Sequence, residues 1–404
     1  MLKRDIYINQ ITGWIDKPFI KVITGIRRSG KSVLLKLLQK ELHKRGVDTN
    51  NIIYINFESF EFVDIRDAKK LFGYIKDKIK NRQKYYLLLD EIQEVDKWEK
   101  AINSFSVDFN TDIYITGSNS HLLSSELATY LSGRFVQLTI FTLSFNEYLQ
   151  FKNEYSRIEI KNNYKEFENF IQFGGFPVIH TTTFTAEQAY KIVYDIYSSV
   201  ILRDVVQRFK FRDIELLERV IRYVFDNIGN KLSAKNISDY FKSQNRKLDI
   251  NTIYNYLNAL ESSYIIHRIQ RYNIRGKEIL KTNEKYFVGD HSLLYALMGY
   301  KGRLISGVLE NIVMLELKRR GYNVFVGKLD NLEIDFIAEK PNNRIYVQVA
   351  YKMTEKKTVE REYNSLLKIK DNYPKYILTT DEYLHDNTNG IKHLHIVDFL
   401  MMDF

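Results

Sequence analysis

The sequence predicts an α/β protein whose first part is a parallel sheet with crossover helices. Three observations predict it. Residues Gly25-Ile26-Arg27-Arg28-Ser29-Gly30-Lys31-Ser32 spell G-x-x-x-x-G-K-S between a strand-like run and a helix-like one. The apolar run Tyr85-Tyr86-Leu87-Leu88-Leu89 ends in two acids, Asp90 and Glu91. Strand-like runs at 19–24, 52–57, 85–90, 112–116 and 135–138 are separated by helical stretches, as in crossover-connected parallel strands.

Each position of the first motif has a chemical reason. Glycine lets the backbone close around a phosphate where a Cβ would collide. Successive amides then face the anion at a helix N-terminus. Gly25 to Ser32, with Val33 opening the helix, form this cradle, and Val33, Leu34, Leu37, Leu38 and Leu42 carry the helical repeat. Lys31 is expected to reach the β- and γ-phosphates of ATP, and the Ser32 hydroxyl to ligate Mg²⁺.

The acids come next. At the end of a buried strand beside the loop, Asp90 is expected in the Mg²⁺ shell. Glu91 is expected to orient and deprotonate the attacking water. A further buried run, Ile113 to Thr116, ends in Gly117-Ser118-Asn119-Ser120. Asn119 or Ser118 is placed to sense the γ-phosphate; a Ser118 or Ser120 cap on the following helix is equally compatible. Arg134 precedes the fifth strand. It reads as an arginine finger, acting in cis or from a neighbouring subunit, or as a surface arginine.

Composition bounds the rest. A chain of 404 residues is expected to hold roughly two to four domains. Without cysteine it has no disulfides and no thiolate metal sites, which fits a reducing, cytoplasmic setting. No signal peptide and no membrane-spanning apolar run are evident. The net charge of +10 favours polyanionic partners such as DNA, although lysine-rich composition alone gives the same sign. No serine or cysteine triad and no histidine-rich metal cluster stands out.

With these residues, Leu89-Asp90-Glu91-Ile92-Gln93, Thr116-Gly117-Ser118, Leu131-Ser132-Gly133-Arg134, Leu143-Ser144-Phe145-Asn146-Glu147-Tyr148, Gly174-Gly175-Phe176-Pro177 and Arg203-Asp204-Val205, the chain resembles the prokaryotic AAA-type ATPases with a C-terminal domain of unknown function. The resemblance implies an AAA+-like core (1–150), a helical lid (151–210), a winged helix (211–300) and a restriction-endonuclease-like α/β end (301–404). It implies ATP and Mg²⁺ as cofactors, a DNA or protein partner, and a homo-oligomer.

In the lid, Pro177 resembles the proline that packs on adenine in related signalling ATPases; a plain loop breaker is the other reading. Arg203 is placed to reach the phosphates, and Asp204 to make an ion pair. In the winged helix, Leu217, Val220, Ile221 and Val224 mark one helix. Ser233 caps a second, with Ile237, Tyr240 and Phe241 inward. Asn251 opens a third, in the recognition position. Segments 265–271 and 285–288 are expected as the wing, made basic by Arg268, Arg271, Arg275, Lys277 and Lys281. The recognition helix carries no Arg or Lys through Glu261, so DNA and protein stay open as partners.

The tail resembles a PD-(D/E)xK nuclease core through helix-borne Glu310, strand-borne Asp335 and Gln348. Such a core needs acids around a metal and a lysine near the attacking water. Ala350 stands at the lysine position, and Lys352 is expected on the same strand face. A degenerate site that binds phosphates without cutting is the expectation.

Overall fold

A computed structural model describes residues 2–120, 133–156, 160–299, 301–382 and 387–402. The chain forms two compact units, Met1–Ile140 with Ser262–Tyr264, and Phe141–Glu261 with Ile265–Phe404.

The first unit begins with α1 (Asp5–Thr12), β1 (Ile20–Thr24), α2 (Lys31–Lys44), β2 (Ile52–Asn56) and α3 (Ala68–Lys78). It continues with β3 (Tyr85–Asp90), α4 (Trp98–Asp108), β4 (Thr111–Gly117) and β5 (Phe135–Thr139). The strands pair in the order β2-β3-β4-β1-β5, all parallel. Strand alternation explains why β3 is apolar throughout. Leu87 and Leu89 face one core with Leu71 and Ile75 of α3 and Ile102 and Phe105 of α4. Leu88 faces the other with Ile8 and Ile11 of α1 and Leu35 and Leu38 of α2. The register sets Thr24 beside Gly117 and Asn56 beside Asp90. The loop and both acids therefore meet at one sheet edge.

The second unit opens with α5 (Phe145–Ser156), α6 (Asn163–Phe173) and α7 (Ala186–Ser199), which runs into a π-helical stretch, Val200–Gln207. Then come α8 (Ile214–Asp226), β6 (Lys231–Leu232), α9 (Ala234–Ser243), α10 (Ile250–Ser262), β7 (Ile266–Asn273) and β8 (Glu278–Val288). The remainder is α11 (Ser292–Met298), α12 (Ile305–Arg319), β9 (Asn323–Leu329), β10 (Leu332–Lys340), β11 (Asn343–Val349), α13 (Lys356–Leu367), β12 (Lys375–Thr379), β13 (Ile391–His395) and α14 (Ile396–Met401). One mixed sheet of eight strands, β13-β12-β11-β10-β9-β7-β8-β6, runs through the unit.

Local chemistry accounts for the helix starts. Ser233 accepts from the amide of Asn236 and Asn236 returns the bond, a capping box that opens α9. Leu217, Val220, Ile221 and Val224 are buried on α8 as spaced, but Tyr240 of α9 is exposed rather than inward. The β7–β8 hairpin differs from a free wing, because β7 pairs in parallel with β9 and joins the large sheet. Its three arginines are engaged accordingly, whereas Lys277 is exposed and the Lys281 side chain lies outside the described residues. Arg271 is buried, Arg268 Nε lies 3.2 Å from Glu261, and Arg275 lies 2.9 Å from Asp330.

Gly174 and Gly175 form a tight joint. A Cβ on Gly174, where φ is +70°, would lie 2.2 Å from Asp290 Oδ1, and one on Gly175 would lie 2.5 Å from the Leu143 carbonyl. The Gly175 amide donates to Asp290 Oδ2 at 2.8 Å. Beside it, His180 Nε2–H donates to the Gly174 carbonyl at 2.8 Å. Burial holds the His180 pKa down to about 4 and that of His267 down to about 3. Both folded values lie below the unfolded value of about 6.5, so only the unfolded chain takes up these protons as pH falls. The stability of this unit is expected to drop from about pH 6.5 towards pH 4. Thermal unfolding between pH 7.5 and 5 checks this. His180→Gln should flatten the slope, and an unchanged slope would refute the assignment.

Candidate functional site

The loop between β1 and α2 is shaped as its sequence demands. Gly25 has φ +141°, and a Cβ there would lie 2.1 Å from the Ile140 carbonyl. Gly30, at φ +105°, turns the chain into α2. Ile26 and Ser29 are buried, while Arg28 and Val33 are exposed and Arg27 Nη2 lies 2.5 Å from Glu58. Lys31 is only 4% exposed. Its ammonium donates to the carbonyls of Gly25 at 3.0 Å and Ile26 at 3.3 Å, and lies 3.8 Å from Glu91 Oε1.

The acids stand opposite. Asp90 is fully buried; its Oδ1 accepts from the Thr116 hydroxyl at 2.5 Å and its Oδ2 from Tyr54 at 3.2 Å. Burial pushes the Asp90 pKa up, while bonds from Thr116 and Ser32 pull it back. Glu91 sits in the left-handed region at φ 57°, a conformation that a non-glycine residue adopts only when its surroundings hold it there. Its amide donates to Thr116 Oγ1 at 2.9 Å, and Gln93 donates to its carboxylate. Thr116 thus orients both acids at once. Thr116 and Tyr54 join the site beside the expected Ser118 and Asn119, which are themselves fully buried at the end of β4. Thr116 was detectable as the polar end of an otherwise apolar strand.

The residues fit a magnesium nucleotide. A side chain at Gly25 would strike the Ile140 carbonyl, and Gly30 holds a φ of +105° that L side chains rarely adopt. Ser32 and Asp90 bring a hydroxyl and a carboxylate together, the donor set of hard divalent cations. The Ser29 hydroxyl is buried and, among the described residues, without a hydrogen-bond partner.

Arg134 is exposed and lies elsewhere in the unit. Its carbonyl accepts from Ile20 N, and Phe135 pairs with Ile20. It therefore begins β5 at the N-terminal edge of the sheet, one strand length from Thr24, or about 16 Å at 3.3 Å per residue. The register thus sets the Arg134 backbone away from the loop of its own sheet. Leu131 and Ser132 of the same motif lie outside the described residues. Pro177 starts a short 3-10 turn, Pro177–His180, and Arg203 is exposed on the π-helical stretch; both belong to the second unit.

The tail cluster is assembled differently from the expectation. Glu310 on α12, Asp335 on β10 and Gln348 on β11 do meet. At their centre is Lys285 of β8, whose ammonium lies 3.0 Å from Glu310, 3.1 Å from Glu333 and 3.3 Å from Asp335. The Asp335 amide donates to Gln348 Oε1 at 2.7 Å, the Val349 amide donates to Asp335 Oδ2 at 3.0 Å, and Gln348 Nε2 donates to Glu362. Lys352 does not join. β11 ends at Val349, so strand alternation stops short of Lys352, which is exposed beside the Tyr351 ring. Burial by itself depresses the Lys285 pKa, but the three carboxylates outweigh it and raise the net value. Burial pushes Glu310 up to about 8, with Lys285 opposing. Lys285 was invisible to motif reading because it lies 25 and 50 residues from Glu310 and Asp335.

A phosphate loop, a buried acid-tipped strand and the strand order of the first sheet define a P-loop nucleotide-binding protein. Comparison with known proteins agrees. The AAA domain family matches residues 17–149, and a domain of unknown function (DUF8612) matches residues 164–304. An uncharacterized protein of Haemophilus influenzae is 43% identical over 99% of both chains. The uncharacterized protein MJ1544 of Methanocaldococcus jannaschii is 35% identical over 88% of this chain and 78% of its own. Among solved structures, the Walker-type ATPase PABY2304 of Pyrococcus abyssi has a similar fold, with a TM-score of 0.52 and 15% identity over 74% of this chain and 96% of that one. The chain belongs to the same family as the Haemophilus and Methanocaldococcus proteins, and its residues 17–149 match the AAA domain family. No helix among the described residues is long and apolar enough to cross a membrane.

Proposed function

We propose that the protein hydrolyses ATP with Mg²⁺ and couples nucleotide state to binding of a macromolecular partner. The observation that carries this reading is the meeting of Lys31, Ser32, Asp90, Glu91 and Thr116 at one sheet edge. Lys31 exchanges the Gly25 and Ile26 carbonyls for phosphate oxygens. Ser32 and Asp90 hold the metal, which supplies charge neutralisation when bound. Glu91 takes the proton of the attacking water, with Thr116 fixing its backbone. Asn119 senses the terminal phosphate, and Pro177 and Arg203 act from a lid over the nucleotide. Phosphate release from ATP by the purified chain, with Mg²⁺ and with EDTA, tests the reading. A slow nucleotide-gated switch is the second reading. It draws on the hydrogen bonds that hold Lys31 against its own loop. Turnover of less than one ATP per minute with tight binding would favour it.

Arg134 serves a neighbouring subunit's nucleotide in this proposal, because its own sheet edge is the far one. Mixing Lys31→Ala with Arg134→Ala protein should restore part of the lost turnover. A fully active monomer in solution would reject the arrangement.

Segment 211–300 is proposed as a winged helix used for docking. The outward face of α10 carries Asn251, Tyr254, Asn255 and Asn258, and the arginines of the hairpin are paired or buried. An uncharged face with engaged arginines suits a protein partner better than a DNA backbone, which needs free cations. A DNA affinity that falls steeply with salt would reverse that preference.

The tail is proposed as a nuclease-like fold that does not cut. Its lysine is held by three carboxylates, so the donors a divalent cation requires are already engaged. Supercoiled, linear, branched and single-stranded DNA are expected to stay intact in Mg²⁺ and in Mn²⁺. Cleavage that vanishes in Asp335→Ala and survives in Lys31→Ala would overturn this.

A further inference from the structure

The phosphate loop is gripped from the start of the chain. Arg4 is 7% exposed, and its Nη1 donates to the Ser29 carbonyl at 2.9 Å. Its guanidinium carbon lies 4.4 Å from the centre of the Tyr7 ring. The point where a Cβ would stand on Gly30 is 4.0 Å from the same Nη1. Arg4 therefore lies over the turn that leads into α2. Tyr7, Ile8 and Ile11 of α1 share a core with Leu34, Leu35, Leu38 and Leu42 of α2. The arginine is thus fixed to the helix that the loop caps.

A second observation comes from the residue it holds. Ser29 is fully buried, and its hydroxyl has no hydrogen-bond partner among the described residues. A buried hydroxyl left unpaired costs about 1–3 kcal/mol. Buried hydroxyls are ordinarily paired, and this one belongs to the loop that would hold the phosphates of the proposed nucleotide.

We propose that Arg4 is a positioning residue of the nucleotide site and that the Ser29 hydroxyl is a direct phosphate-side contact. This rests on the ATPase reading. Arg4 keeps the Ser29 carbonyl, which repels phosphate, turned onto its own guanidinium. It also adds a permanent positive charge beside the Gly30 turn, because arginine does not lose its proton.

The test uses the full chain and measures ATP, ADP and adenosine binding by calorimetry, together with turnover and thermal unfolding. Arg4→Ala should weaken ATP binding about ten-fold, in line with a lost charge-assisted hydrogen bond. Adenosine binding should stay as it was, and kcat should change less than KM. Arg4→Lys keeps the charge and the stem on Tyr7 but not the fork, and should fall between wild type and Arg4→Ala; it remains informative if Arg4→Ala fails to fold. Ser29→Ala should weaken ATP binding several-fold while raising the melting temperature of the nucleotide-free protein. A merely structural serine would not give that opposition. Wild-type ATP affinity in both Arg4→Lys and Ser29→Ala, beside a Lys31→Ala protein that has lost it, would overturn this proposal and leave the ATPase reading standing. Equal ATP affinity in wild type and Lys31→Ala would overturn both.

Discussion

Glu91→Gln is expected to bind ATP as tightly as wild type and to turn it over about 10³-fold more slowly. Lys31→Ala is expected to lose tight ATP binding altogether. The two residues lie 3.8 Å apart, both buried, yet their losses separate because they act on different states. Lys31 meets phosphate charge in the ground state as well as the transition state, so its removal appears as affinity. Glu91 meets the water only when the proton moves. Its amide bond to Thr116 survives the change to glutamine, so the loop geometry should persist. Direct binding of ATP and single-turnover phosphate release distinguish the two. Full turnover by Glu91→Gln would remove Glu91 from the proton-transfer role and shift attention to Asp90 or Thr116.

The same contrast shows what the sequence carries legibly. The first sheet was readable because each strand is a short apolar run with its chemistry at its C-terminal end. Tyr85–Asp90 matches its expected bounds, and Ile20–Thr24, Ile52–Asn56, Thr111–Gly117 and Phe135–Thr139 differ from theirs by a residue or so. The loop was readable because Gly25, Gly30, Lys31 and Ser32 are neighbours in the chain. What local patterns do not encode depends on pairing between distant segments. The position of Arg134 follows from the parallel register with Ile20, which no local pattern encodes. The hairpin at 266–288 has the periodicity of a wing, yet the parallel pairing of Arg271 with Val326 absorbs it into a larger sheet. Lys352 was assigned by alternation along a strand that ends three residues before it. Thr116 is overshadowed by more conspicuous polar neighbours, although it bonds both Asp90 and Glu91.

The tail gives the second large effect. Lys285→Met is expected to destabilise the second unit by about 3–5 kcal/mol, the usual cost of stripping one partner from a buried ion cluster. The ammonium is 4% exposed and lies within 3.3 Å of Glu310, Glu333 and Asp335. Methionine fills a similar volume, so the loss is electrostatic rather than a cavity. Without the cation, three carboxylates face one another, with Lys231 2.7 Å from Glu333 at the rim. The effect has a predictable pH dependence. Glu310 already has its folded pKa pushed up to about 8, above its unfolded value. A group raised in the folded state contributes stability at low pH that is lost as pH rises through the folded value. Lys285→Met should therefore melt closest to wild type near pH 6 and furthest below it near pH 9. Adding Glu310→Gln removes one of the opposed charges and should recover part of the loss at pH 9, leaving little difference at pH 6. Thermal unfolding of the three proteins across that range decides the matter. A Lys285→Met protein that melts with wild type at pH 9 would mean the carboxylates are already neutral or hydrated. The tail would then be open to a metal ion, and the nuclease reading would regain its footing.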